Sequence, residues 1–172
     1  MKEIGNCNYL NVVKIENKKK EKFVITETTK PEMTYEYGKC LGEQALPGQI
    51  YCLVGDLGVG KTLFTQGFAK GLGISEPVNS PTFTIVQEYH QGRIPLFHFD
   101  VYRISDPEEM YEIGYEEYFF GNGVCIVEWA DLIWELIPEE AVVVRIEKNT
   151  ELGFEYRKTT THSFATEKER IL

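Results

Sequence analysis

The sequence is short of basic residues. Its 172 residues include 18 Lys and Arg against 27 Asp and Glu, which gives a formal net charge of −9. Proteins that bind nucleic acid on their own do so with clustered Lys and Arg, so this balance argues against that class. An acidic surface instead favours solubility and basic protein partners. Arginine is the scarcer cation, with five residues: Arg93, Arg103, Arg145, Arg157 and Arg170.

Long hydrophobic runs and paired cysteines are also missing. No apolar stretch approaches the ~20 residues that a membrane span needs, and the start of the chain has no apolar run typical of a signal peptide. The four cysteines are scattered without a Cys-x-x-Cys pair, and Cys52 and Cys125 lie in apolar segments typical of a core. We therefore expect a cytoplasmic protein in a reducing compartment, with no membrane partner.

A glycine-rich stretch, Gly55–Thr62, carries the clearest chemical signal. Two glycines five positions apart, followed by Lys61 and Thr62, form the pattern of a phosphate-binding loop. Glycines adopt backbone angles that other residues rarely do, so the loop can wrap a triphosphate with its N–H groups inward. Lys61 would reach the β- and γ-phosphates, and the Thr62 hydroxyl would bind Mg²⁺. The predicted nucleotide-binding residues here are Asp56, Leu57, Gly58, Val59, Gly60, Lys61, Thr62 and Leu63.

The segments around this loop predict an α/β fold. Hydrophobic periodicity predicts strands at 23–25, 49–54, 83–89, 94–101, 124–127, 141–146 and, at an edge of the sheet, 154–161. Helices are predicted at 31–46, from 61 to about 72, at 107–113 and at 131–136, with capping boxes at 29–32 and 105–108. A strand, loop and helix in this order disfavour the alternative of a glycine-rich turn with a surface lysine.

The predicted domain organisation is simple. The length suggests one domain, and we expect this domain, with its phosphate-binding loop, to cover residues 22–161. The Lys-rich residues 1–21 are expected to form a flexible, solvated arm, and residues 162–172 a frayed tail.

Two predicted strands end in a carboxylate, Asp100 after one and Glu128 after the other. In open α/β sheets ligands bind at the carboxyl ends of the strands, so both are expected to face Lys61 and Thr62. Asp100 is typical of a Walker-B acid that holds Mg²⁺ directly or through water, although an acid at a strand end is also a common turn former or cap.

Three further residues near these positions have two interpretations each. Thr82 offers a hydroxyl to Mg²⁺ or a γ-phosphate, or belongs to a plain Ser-Pro turn. Trp129 has two possible roles, stacking on the base or ribose of a nucleotide or packing against neighbouring protein side chains. His98 is one histidine beside one aspartate, so a hydrogen-bonded structural role is favoured over metal binding.

Taken together, the motifs resemble those of the TsaE family, the bacterial P-loop ATPases of tRNA threonylcarbamoyladenosine (t6A) synthesis. The resemblance runs from about Phe23 to about Arg157. It rests on Gly55–Thr62, Ser80-Pro81-Thr82-Phe83, His98-Phe99-Asp100-Val101-Tyr102-Arg103, the acidic helix leading to Gly114, and Val127-Glu128-Trp129-Ala130-Asp131.

The resemblance implies ATP and Mg²⁺ as cofactors, with Thr62 and Glu128 as metal ligands and Asp100 as the Walker-B acid; we take Lys61, Asp100 and Glu128 as the catalytic set. It also implies the fold, a single α/β P-loop NTPase domain with a mainly parallel sheet flanked by helices. It implies a role beside TsaB and TsaD, with tRNA contacted only indirectly through that complex. The chain departs from the family in having Leu63 where a second Thr is usual, and Phe154 where a C-terminal Arg that contacts nucleotide is often found.

The scarcity of arginine predicts slow, partner-dependent hydrolysis. An arginine finger can raise phosphoryl-transfer rates by ~10³–10⁵, and Arg103 is the one nearby candidate in the sequence. Two alternatives stay open: a small-molecule kinase, which would need more cations around two phosphorylated reactants, and a non-hydrolysing assembly factor that uses ATP to set its shape. A GTPase is disfavoured because no Asn-Lys-x-Asp motif occurs.

Overall fold

A computed structural model describes residues 13–18 and 21–171 of the chain. They form one eight-stranded sheet in the order β1-β2-β8-β7-β3-β6-β5-β4. The strands are β1 (Val13–Lys18), β2 (Glu21–Thr28), β3 (Ile50–Val54), β4 (Val86–Tyr89), β5 (Leu96–Asp100), β6 (Val124–Glu128), β7 (Val142–Lys148) and β8 (Arg157–Ser163). The helices are α1 (Pro31–Gln44), α2 (Lys61–Gly71), α3 (Glu109–Glu112), α4 (Tyr115–Phe119) and α5 (Phe164–Ile171), with a 3₁₀-helix at Ala130–Leu136.

Four parallel strands, β7, β3, β6 and β5, form the centre of this sheet. Antiparallel pairings extend it on both sides, with β4 beside β5 and the run β8, β2, β1 beside β7. The predicted α/β class is confirmed, and the antiparallel flanks make the sheet as a whole mixed. Because the parallel strands point the same way, the ends of β3, β5 and β6 lie at one edge.

Each face of the sheet is covered by its own hydrophobic core. On one face, α1 and α2 pack with buried aromatic side chains that include Tyr37, Phe64 and Phe68. On the other face the core includes Met110, Phe119 and Phe164 from α3, α4 and α5. Cys52 and Cys125 are buried as predicted, and burial raises the pKa of both thiols. Cys40 on α1 is disulfide-bonded, whereas the expected reducing compartment predicts free thiols.

The prediction of an edge strand at residues 154–161 is wrong in its bounds and in its position in the sheet. The strand is β8, it begins at Arg157, and it lies inside the sheet between β2 and β7. Its threonines are buried at alternating positions, Thr159 and Thr161 among them. The periodicity of a strand shows which of its side chains are buried, but not how many strands pair with it. The local sequence therefore did not reveal the pairing with β2, which places β8 inside the sheet.

The predicted strand 83–89 begins three residues later, at Val86. Before it, the N–H groups of Thr84 and Ile85 donate to the carbonyl of Pro81, and Ile85 has a left-handed φ of 65°. Residues 83–85 therefore belong to this turn and not to the strand, while Ser80 and Thr82 lie before the strand as predicted.

The helix starts also differ from their predicted capping boxes. Lys30 is the N-cap of α1 and makes no side-chain cap, because Pro31 begins the helix and Thr29 therefore precedes the cap position. At α3, the carboxylate of Glu109 accepts the N–H groups of Ser105 and Asp106, each at 3.0 Å, and the helix is confined to Glu109–Glu112.

Both predicted termini contain secondary structure. Within the expected arm, β1 pairs antiparallel with β2, while residues 1–12 and 19–20 lie outside the described residues. The expected tail contains α5, whose Phe164 is buried against Trp134 with ring centroids 4.9 Å apart. Among the described residues, no helix is long and apolar enough to cross a membrane.

Candidate nucleotide-binding site

A cleft of about 470 Å³ opens at the carboxyl ends of the parallel strands. The predicted loop forms one wall, and the segments that follow β5 and β6 form the other. Of the predicted residues, the cleft is lined by Leu57, Gly58, Gly60, Lys61, Thr62, Leu63, Thr82, Asp100, Glu128 and Trp129, joined by Ser80 and Tyr102. The structure thus brings ten of the predicted site residues to one place.

The loop has the backbone geometry that its glycines predicted. Gly55, Gly58 and Gly60 have φ values of 149°, 75° and 106°. Lys61 then begins α2, so the positive end of this 11-residue helix faces the cleft. Val59, by contrast, is buried in the core beneath the loop and does not line the cleft.

Lys61 is held inside the cleft by its own loop. Its ammonium donates to the carbonyls of Gly55 at 2.6 Å and Asp56 at 2.9 Å, and lies 3.6 Å from the centroid of the Trp129 ring. Burial lowers the pKa of Lys61, and the carboxylates of Glu128 and Asp100 partly offset that shift.

Trp129 occupies this position because of its backbone. It follows β6 with a left-handed φ of 62°, while its N–H donates to the carbonyl of Leu53 on β3 at 3.0 Å. Its ring also packs on Tyr102, with centroids 4.9 Å apart. Trp129 therefore packs and also contacts the lysine of the loop.

Glu128 connects the end of β6 to α2 and to β5. Its Oε2 accepts the hydroxyl of Thr62 at 3.1 Å, and its Oε1 accepts the hydroxyl of Thr65 at 3.3 Å. The Nε2–H of His98 donates to Oε1 at 2.8 Å. His98 is therefore hydrogen-bonded within the core, as predicted.

Asp100 lies opposite Glu128, because their strands pair in parallel with these two residues in register. Its Oδ2 accepts the hydroxyls of Ser80 and, at 2.8 Å, Thr82, and its Oδ1 accepts the N–H of Tyr102 at 3.1 Å. Thr82 is therefore part of the site, although its hydroxyl is directed to Asp100.

The oxygen donors of Thr62, Glu128 and Asp100 suit Mg²⁺. This ion binds hard oxygen ligands, usually through one or two carboxylates, and keeps waters or substrate phosphates in its other positions. A dedicated cage of protein ligands is not needed, which agrees with the finding that no cluster of three or more His, Cys, Asp or Glu side chains capable of holding a metal occurs in the described ranges.

Neither Arg103 nor Arg157 is among the described residues that line the cleft. Arg103 lies over the ring of Phe83, 5.2 Å from its centroid. Arg157 on β8 donates from Nε to the carbonyl of Val59 at 2.8 Å and from Nη1 to the carbonyls of Phe154 and Tyr156. Arg157 therefore supports the loop from outside the cleft.

Four contributors to the site were not predicted from the sequence: Ser80, Tyr102, Thr65 and the contact of Arg157 with the loop. A signal existed for Thr65, which follows Lys61 by four positions and Thr62 by three and so lies on the same face of α2. No local pattern pointed to Arg157, which is 98 positions from the residue it contacts.

Comparison with known proteins identifies a family. The family model described as threonylcarbamoyl adenosine biosynthesis protein TsaE matches residues 28–158. The chain is 52% identical over 121 residues to a Bacillus subtilis protein named tRNA threonylcarbamoyladenosine biosynthesis protein TsaE, an alignment covering 70% of this chain and 75% of that protein. It is 41% identical over 113 residues to a Treponema pallidum protein of the same name, covering 66% and 83%.

Among solved structures, the crystal structure of Bacillus subtilis YdiB superposes with a TM-score of 0.71 at 43% identity, covering 83% of this chain and 86% of that one. The family model extends from the end of β2 to the first residues of β8, and so includes the loop, both strand-end carboxylates and Trp129. The chain belongs to the TsaE family.

Proposed function

We propose that this chain is a P-loop ATPase that binds Mg-ATP in the cleft and supports t6A modification of tRNA together with TsaB and TsaD. The observation that carries the proposal is the convergence of Lys61, Thr62, Asp100 and Glu128 on one cleft. The proposed link to t6A modification comes from the names of its relatives. Contact with tRNA is proposed to be indirect, through the partner complex.

In this proposal the loop N–H groups and Lys61 hold the phosphates, while Thr62 and Glu128 hold Mg²⁺, with Asp100 near it. The metal, when bound, neutralises charge on the phosphate oxygens. Lys61 leaves its contacts with the Gly55 and Asp56 carbonyls to reach the nucleotide, and Trp129, whose ring already contacts the lysine, closes this side of the cleft.

Slow intrinsic hydrolysis follows from the placement of the arginines. Within the described residues the cleft lining contains Lys61 as its cation and no arginine. We therefore expect ATP turnover by the isolated chain to be slow and to rise about 10³-fold or more if a partner supplies an arginine. Turnover measured alone and with TsaB–TsaD tests this, and full activity in isolation would contradict it.

The lysines of α2 offer a matched pair of variants. Lys61→Ala removes the phosphate-binding ammonium and is expected to abolish ATP binding, measured by calorimetry. Lys70→Ala removes an exposed lysine from the same helix and should leave binding unchanged. Equal binding by the two variants would place the nucleotide elsewhere.

The assignment to t6A is tested in cells. Depletion of the protein should remove threonylcarbamoyladenosine from tRNA, measured by mass spectrometry of tRNA nucleosides, and restoration should require an intact Lys61. Persistence of the modification after depletion would overturn this part of the proposal while leaving nucleotide binding intact.

One observation favours a second candidate, the non-hydrolysing assembly factor. Both carboxylate oxygens of Asp100 accept hydrogen bonds, Oδ2 from the 80–82 segment and Oδ1 from Tyr102. Asp100 therefore has a structural role that does not depend on catalysis. Glu128→Ala distinguishes the two functions. If this variant binds ATP and still supports tRNA modification without turnover, the assembly factor is the better description.

A further inference from the structure

The two oxygens of Glu128 have separate environments. Oε2 lies 3.1 Å from the hydroxyl of Thr62, on the side of the cleft. Oε1 lies in the interior, where it accepts Nε2–H of His98 and the hydroxyl of Thr65. The exposed fractions are 2% for Glu128 and 0% for His98, so water does not replace either contact.

The sheet fixes this arrangement. In the parallel register of β5 and β6, His98 pairs with Ile126 and Asp100 with Glu128, so His98 reaches Glu128 diagonally across the two strands. Side chains two positions apart on a strand share a face, which places His98, Asp100 and Glu128 beneath α2 and Thr65. In the part of the chain that the structure describes, His98 does not itself line the cleft, and its side-chain hydrogen bond is to Glu128, which does. His98 therefore acts on the site through Glu128.

We propose that His98 is a positioning residue for the metal site: by holding Oε1 of Glu128 in the core, it keeps Oε2 beside Thr62, where Mg²⁺ binds. This inference rests on the proposed Mg-ATP site. The His98 contact is the shorter of the two on Oε1, because the hydroxyl of Thr65 lies 3.3 Å from Oε1 and also donates to the carbonyl of Lys61 at 3.1 Å. Loss of the His98 contact therefore leaves Oε1 weakly held and frees Glu128 to turn toward other donors. Groups that orient a metal ligand in this way typically change metal affinity about 10- to 100-fold when removed.

A second buried pair provides a control in the same chain. On β8, the Nε2–H of His162 donates to Oε2 of Glu167 at 2.6 Å, and His162 is also buried. In both pairs the Nδ1 atom of the histidine is buried without a hydrogen-bond partner among the described residues. The His162 pair anchors α5 and does not line the cleft.

The experiment compares His98→Gln with His98→Asn, because both keep a polar amide in the core. A Gln amide nitrogen reaches about as far as histidine Nε2, whereas the Asn amide is shorter and falls short of Glu128. Calorimetry measures the affinity for a non-hydrolysable ATP analogue with Mg²⁺ and again with excess EDTA. The quantity compared between variants is the affinity with Mg²⁺ divided by the affinity in EDTA, called the ratio below.

We expect His98→Gln to keep the wild-type ratio within about threefold. His98→Asn should lower the ratio by about tenfold or more while leaving affinity in EDTA nearly unchanged. His162→Asn should lower the unfolding midpoint and leave the ratio at its wild-type value, because Glu167 is remote from the metal.

Three results would overturn the inference. A wild-type ratio in His98→Asn, or equal losses in His98→Asn and His162→Asn, would show that His98 only supports the core. A wild-type protein that binds the analogue equally well with and without Mg²⁺ would remove the metal site on which the inference depends. If the wild-type protein binds no analogue at all, the proposed function itself fails, which is a distinct outcome.

Discussion

Gly55 lies where the end of β3 passes the backbone of β7. A Cβ atom added there would be 2.2 Å from the carbonyl oxygen of Ile146, and the residue has a φ of 149°. Gly58, three positions on, also has a positive φ of 75°, but an added Cβ atom would meet nothing within 4 Å. The two glycines of one loop are therefore constrained differently, Gly55 by space and backbone angle and Gly58 by backbone angle alone.

This difference predicts unequal effects of alanine. Gly55→Ala must displace a strand backbone, and we expect it to lower the free energy of unfolding by about 3 kcal/mol. Gly58→Ala should cost about 1 kcal/mol, the strain of a left-handed alanine. Urea unfolding without nucleotide measures both. Equal losses would mean that the contact with Ile146 does not constrain the loop.

At the scale of elements, β8 is linked to the loop through Arg157 and the carbonyl of Val59. Arg157→Met removes the charged hydrogen bond to Val59 that fixes the loop, together with those to the Phe154 and Tyr156 carbonyls. We expect it to weaken ATP binding about tenfold and also to lower the free energy of unfolding. Calorimetry and urea unfolding measure the two quantities. Lys158→Met, the next residue on β8, is the matched control and should bind ATP normally.

The helix α5 is held to the sheet by Glu167. Its carboxylate contacts His162 on β8 and Arg145 on β7, and these partners lower its pKa from 4.5 to about 2. A lowered folded pKa means that the ionised carboxylate stabilises the fold fully above pH ~4.5 and that this contribution is lost as the pH falls toward about 2. We expect a loss on the order of 2 kcal/mol from this group across that window.

Unfolding at a series of acidic pH values measures this loss. Glu167→Gln should be less stable at neutral pH and should show a shallower decline between pH ~4.5 and ~2. Glu169→Gln changes an exposed carboxylate on the same helix and should retain the wild-type slope. A wild-type slope in Glu167→Gln would assign the acid sensitivity to another group.

For the whole molecule, charge limits the choice of partners. With 27 acidic and 18 basic residues, the chain is expected to bind tRNA weakly on its own, because nucleic acid affinity depends on released counterions and clustered cations. Filter binding of purified protein to tRNA at physiological salt should show little retention, and addition of the partner complex should raise it. Tight binding by the isolated chain, falling steeply with salt, would contradict an indirect role.

The features that depend on neighbouring residues could be predicted without the structure. The loop at Gly55–Thr62, the strand before it and the helix after it follow from glycine geometry and hydrophobic spacing within about twenty residues. The positions of Asp100 and Glu128 followed as well, because parallel strands that end in an acid bring those acids to one edge of the sheet.

The side chains that contact these acids became known from the folded chain alone. Ser80 and Thr82 bind Asp100, His98 binds Glu128, and Arg157 reaches the loop across 98 positions of sequence. The same holds for β8, whose interior place depends on pairing with β2. Such contacts depend on strand order and register, which are set by the packing of the whole sheet, so no local pattern of residues contains them.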